Sequence, residues 1–156
     1  MGAQRRSRAG RLLPRHFADK RDVLFAGAAD LEALLAERIA LAPRHLAPLD
    51  AIAAALAAIG PDSMAPRAAL RQRQVVIAAS PELTERELIT FDSLTAAFAT
   101  GLRQRGVEYP TASLASQAGV TVFRTASERW VNGDHEHEMA QIVDNVINEF
   151  RNATAA

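Results

Sequence analysis

The chain has 156 residues, 49% of them apolar and only 5% aromatic, with no cysteine and a formal net charge of zero. That length suits one domain with a real core; the missing cysteine excludes disulfides and thiolate metal sites. No apolar run reaches the roughly eighteen residues of a membrane span, and the basic N-terminus lacks the apolar stretch of a secretory signal. The expected setting is therefore a cytoplasmic protein with no membrane partner. An Ala- and Leu-rich composition favours close-packed helices, so the expected fold class is all-α.

The zero net charge hides an uneven distribution. Of the 18 Lys and Arg and the 18 Asp and Glu, seven bases (Arg5, Arg6, Arg8, Arg11, Arg15, Lys20, Arg21) and one acid (Asp19) fall in residues 1–21. The remainder carries eleven bases against seventeen acids. A basic tip on an acidic body points to a polyanion at that end, although a Gly-containing arginine tail over 1–10 also reads as a solvated tail. The expected division is a basic stub over 1–19 and a helical core over 20–156.

Taken in order, residues 11–17 (RLLPRHF) form a short basic stretch in which Pro14 permits at most a first helical turn. A first body helix is predicted over 20–41: Asp19 caps it, Asp22 follows in its first turn, and Leu24, Ala28, Leu31, Leu35 and Ile39 recur at steps of three and four. It ends before Pro43. A second helix, over 47–59, is apolar on most faces and is expected in the middle of the domain. Gly60-Pro61-Asp62 closes it. A third spans 63–79, with Arg67, Arg71 and Gln74 on one side, either a solvated face or a ligand-facing one.

Ser80-Pro81-Glu82 is the strongest start signal in the chain: a cap, a first-turn proline and a first-turn acid. The fourth helix runs to about Arg105 with Gly106 at C′, and Leu88, Phe91, Leu94, Phe98 and Leu102 form its expected buried stripe. A fifth helix over 111–132 is nearly apolar all round between Leu114 and Phe123. A sixth, over 135–152, carries a wide apolar band. These last two read as a subunit interface, in which Val122, Ala126, Trp130, Met139, Ile142, Val146 and Phe150 build a four-helix bundle around a two-fold axis. Packing of the sixth helix onto its own core is the alternative.

No catalytic signature appears: no nucleophile elbow frames a serine, and Glu82, Glu85 and Glu87 read as solvated. An enzyme is not expected, nor a cofactor. In Asp134–Glu138 (DHEHE) the two histidines, two apart on a helix, project about 200° from each other and cannot share an ion unless the segment is a loop; a polar helix start is the favoured reading over a metal site. Lys20, the only lysine, lies at a helix N-terminus, where free N–H groups favour a phosphate.

The stretch Arg15–Phe25 (RHFADKRDVLF) carries a family likeness. Phe17 and Lys20, followed by Asp22, Val23 and Leu24, resemble the junction between recognition helix and first core helix in tetracycline-repressor-like (TetR family) transcriptional regulators. Pro14 stands where that family has a tyrosine. The resemblance covers roughly residues 11–150, and the chain looks like such a regulator that starts late, without the first two helices of the DNA-binding domain. It implies a repressor that acts as a homodimer through its last two helices. It also implies operator DNA contacted by Arg11, Arg15, His16 and Lys20. A small-molecule effector is implied among Arg71, Gln74, Phe91, Phe98, Phe123 and Arg124. A DNA-independent ligand-binding and dimerisation protein that pairs with a full-length relative is the alternative.

Overall fold

The computed structural model describes residues 20–60, 63–133 and 137–155. Among them it holds seven α-helical segments and no strand: α1 Lys20–Val23, α2 Ala28–Ala40, α3 Pro48–Ala57, α4 Arg67–Ala78, α5 Pro81–Gln104, α6 Tyr109–Asn132 and α7 Met139–Thr154. The expected all-α class holds. The predicted cap Asp19 lies outside the described residues.

The first predicted helix is in fact two pieces. After the single turn of α1, the amides of Leu24, Phe25 and Ala26 bond to carbonyls only three residues back, at 3.2, 3.1 and 3.2 Å. Gly27 then takes φ +80, a left-handed conformation open to glycine at little cost. The helix restarts at Ala28, with Leu31 donating its N–H to the Gly27 carbonyl. Proline sets two other boundaries. Ala47, before Pro48, is extended and caps α3. Pro66 is itself extended and delays α4 to Arg67.

The strongest start signal forms as predicted. Ser80 is extended and its hydroxyl accepts the Leu83 N–H at 3.3 Å, with Pro81 in the first turn. After the 24 residues of α5 and the Arg105 cap, Gly106 at φ +94 turns the chain away. The Gly106 and Val107 N–H groups return to the Arg103 and Leu102 carbonyls, at 3.0 Å each, the Schellman pattern.

Helices α5 and α6 form the spine. α5 packs on α2, α4 and α6; α3 packs on α2, α6 and α7; α7 closes against α6. Phe98, Leu35, Ile39, Ile52, Leu56, Leu102, Val122 and Val143 are the largest fully buried apolar side chains. Each contributes on the order of 1.5–3 kcal/mol relative to exposure. Of the stripe predicted for α5, Leu94, Phe98 and Leu102 are buried and Phe91 is half-buried, but Leu88 is 49% exposed. The buried face of α5 turns away from Leu88 where α4 takes over the cover.

Two helical glycines allow this packing. A Cβ on Gly101 would meet the Ala36 carbonyl oxygen at 2.6 Å and the Ile39 Cβ at 2.9 Å. One on Gly119 would meet Ile52 at 2.8 Å and the Phe98 ring at 3.2 Å. Loops are pinned by arginines donating to carbonyls. The nearly buried Arg105 reaches Leu46 O at 3.2 Å and Pro43 O at 2.7 Å, and Arg38 reaches Ala58 O at 2.5 Å.

Gly101→Ala is expected to destabilise the protein by about 1–3 kcal/mol through overpacking, offset only in part by the ~1 kcal/mol gain in helix propensity. Gly119→Ala should cost less, because the atoms it meets are side-chain ends rather than backbone. Urea unfolding of the two variants checks the order.

Candidate functional site

Three regions were expected to carry function: the basic tip, the middle helices and the last two helices. At the tip, Arg11, Arg15 and His16 lie outside the described residues, and Lys20 opens α1 with its side chain outside them. What the structure does show is how the tip joins the body. Arg73 of α4 donates Nε to the Leu24 carbonyl at 2.6 Å and grips Glu87 of α5 through both terminal nitrogens, at 2.7 and 3.1 Å. Arg86 pairs with Asp22 at 2.5 Å and Arg21 with Glu82 at 2.8 Å. The guanidinium carbons of Arg73 and Arg86 lie 5.2 and 4.5 Å from the centroid of the Phe25 ring, a cation–π arrangement on both counts.

In the middle helices the six residues expected at a pocket differ in burial and partners. Phe98 is fully buried in the core. Arg71 donates to the Val131 carbonyl at 2.9 Å, tying α4 to the end of α6. Gln74 and Phe123 are half-buried. Phe91 and Arg124 do meet, with the guanidinium 4.4 Å from the ring centroid, linking α5 to α6. The remaining member of the α4 polar face, Arg67, donates to the His137 carbonyl at 3.1 Å and lies 4.4 Å over the Trp130 ring.

The residues expected at a dimer interface are largely used within one chain. Val122, Ala126, Met139 and Val146 are buried in its own core, and Trp130, Ile142 and Phe150 pack against that core half-buried. Their burial needs no second copy.

Two open clefts flank α7. One, of about 390 Å³, runs between α6 and α7 and is lined by Arg129, Gly133, His137, Ile142, Asn145, Asn148 and Glu149. The other, of about 260 Å³, lies between α3 and α7 over Ala53, Ala54, Ala57, Ala140, Val143 and Ile147, with the Asp50–Arg151 ion pair at its edge. In the first, Arg129 holds Glu149 bidentately at 2.7 and 2.8 Å. Those hydrogen bonds keep the Glu149 carboxyl below its ordinary range and raise the Arg129 guanidinium. Of the DHEHE segment, His137 and Glu138 are exposed and 134–136 lie outside the described residues. No cluster of three metal-ligating side chains occurs among the described residues, nor any helix long and apolar enough to cross a membrane.

Sequence reasoning missed Arg73 and Arg105. Only the position of Arg105 at the C-cap of α5 hinted at carbonyl partners.

Comparison with protein families matches residues 46–72 to the C-terminal region of the DNA mismatch repair protein MutS. This short segment runs from Leu46 through α3 into α4. No curated protein matches the chain. The family match falls away from the Arg15–Phe25 stretch and lends no support to the tetracycline-repressor-like resemblance, which is withdrawn. That resemblance rested on a cap, a cation and an apolar pair, features of many helix starts. Leu24, read there as the first residue of a buried helix face, lies in the turn between α1 and α2.

Glu149 should titrate below the usual carboxylate value of about 4.3, and Arg129→Gln should return it upward. A depressed carboxylate contributes stability above its unfolded pKa and loses it as pH falls through the folded pKa. A carbon-detected NMR titration of the Glu149 carboxyl in both forms checks this.

Proposed function

We propose that this protein is a DNA-binding regulator of transcription, a homodimer whose helical body answers to a small molecule. The segregation of charge carries the reading: seven of the 18 basic residues crowd into residues 1–21, beside a single acid, on a chain whose remainder is acidic. A cationic segment of this density takes the phosphate backbone by counterion release. Where the described chain begins, Arg21 and Asp22 pair with Glu82 and Arg86 at a body corner that Arg73 and Glu87 also hold. The effector's natural entry lies along α4–α6, where Phe91 and Arg124 offer an aromatic face beside a cation.

A second reading is a DNA-independent association protein. It is favoured by the large apolar side chains left on the outside of α4, α5 and α6: Val75, Ile89 and Leu114 are each more than 60% exposed.

Fluorescence anisotropy of the 156-residue chain tests the first reading. DNA from upstream of its own gene is compared with a scrambled duplex, at low and at moderate salt. The cationic segment alone supplies salt-weakened binding of both duplexes; a preference for the upstream duplex that survives moderate salt is what the regulatory reading adds and requires. Lys20→Gln should weaken both duplexes alike and flatten the salt dependence by about one phosphate contact. Binding that is equal on both duplexes and lost with salt would replace this reading with the second.

A further inference from the structure

We propose that residues 20–27 form a latch, hinged at Gly27 and locked onto the α4–α5 corner by Arg73 and Arg86, whose opening couples movement of α4 and α5 to any DNA held through the basic sequence of residues 1–21. The hold on this segment is polar rather than apolar. None of residues 21–27 is buried; Leu24 and Phe25 are half-covered and Val23 is 64% exposed. By contrast α2 is fully anchored two turns on, where Leu35 and Ile39 have no exposed surface.

The body-side partners of Arg21, Asp22, Leu24 and Phe25 include Arg73 of α4 and Glu82 and Arg86 of α5. Arg73 is the keystone: its Nε holds the Leu24 carbonyl, its terminal nitrogens hold Glu87, and its guanidinium faces Phe25. The Arg73–Glu87 side chains are only 25% and 18% exposed, so salt screens this pair least. Arg86–Asp22 (42% and 52% exposed) and Arg21–Glu82 (60% and 79%) are open to screening. The hinge has room to turn. Gly27 holds φ +80, and nothing lies within 4 Å of where a Cβ would stand. The amides of Leu24, Phe25 and Ala26 are held only by short three-residue turns. The segment thus has one locked arrangement, a free pivot and a lock that polar conditions open. Any event that moves α4 against α5 separates Arg73 from Glu87 and loosens the segment.

The consequence for DNA rests on the regulatory reading above; the latch does not, and hydrogen exchange of the full chain without DNA reads the latch alone. In Arg73→Gln, exchange over residues 20–27 should speed by about tenfold, while residues 94–102 of α5 keep their wild-type rates. Arg86→Gln, which leaves the Arg73–Glu87 pair intact, should speed the same peptide by roughly threefold, and wild type in molar salt should move in the same direction. Rates over 20–27 unchanged in both variants would overturn the proposal. So would acceleration shared equally by 94–102, which reports general destabilisation. If Arg73→Gln does not fold, the Arg86→Gln result decides.

Discussion

Helix α5 lies so close to α2 at Gly101 that the Ala36 carbonyl leaves no space for a methyl group. With Gly119 seated against the Ile52 and Phe98 side chains, this approach brings α2, α3, α5 and α6 close together at two points. A core poor in aromatic volume depends on such approaches. Small residues must bring the helices together before Leu, Ile and Val can fill what is left. The burial of Leu35, Ile39, Ile52 and Leu102 follows from that spacing. The position of α7, which closes on α3 and α6, follows from it as well.

Much of this was legible in the sequence where the signal was local. The Ser80 cap and the Gly106 terminator bracket α5 because both act through backbone groups within a few residues. Pro48 and Pro66 set boundaries the same way. What stayed illegible was long-range. The break at Gly27 interrupts a faultless apolar period, and a single glycine inside such a pattern does not say whether it bends the chain. Arg105, Arg73 and Arg71 bind carbonyl oxygens 49–62 residues away, and a carbonyl has no sequence identity to read. The apolar bands of α6 and α7 were clear, but periodicity cannot tell whether a band faces its own core or another chain. Here Val122, Ala126, Met139 and Val146 face their own.

The same distinction bears on function. The charge pattern is a property of composition and survives any error in helix boundaries. The pocket is a matter of convergence: Phe91 and Arg124 meet as ring and cation, Phe98 is sealed in the core with Phe91 and Phe123 packed against that core, and Arg71 is engaged with the Val131 carbonyl. The short family likeness over residues 46–72 covers the middle of the chain and leaves the basic tip and both long helices outside it.

Helix α4 stands apart in how it is held. Ile77 is its one buried residue. Much of the rest of its attachment is polar: Arg67 to the His137 carbonyl and Trp130, Arg71 to the Val131 carbonyl, Arg73 to Leu24 and Glu87, and Thr84 of α5 to the Ile77 carbonyl. A helix fastened by side chains rather than by an apolar face is a separate cooperative unit, with an opening free energy below that of the whole. A single denaturation midpoint therefore describes the core and not α4. The only tryptophan, shielded by Arg67, loses its cover at milder conditions than those that melt α5 and α6, so indole emission and helical signal part company during unfolding.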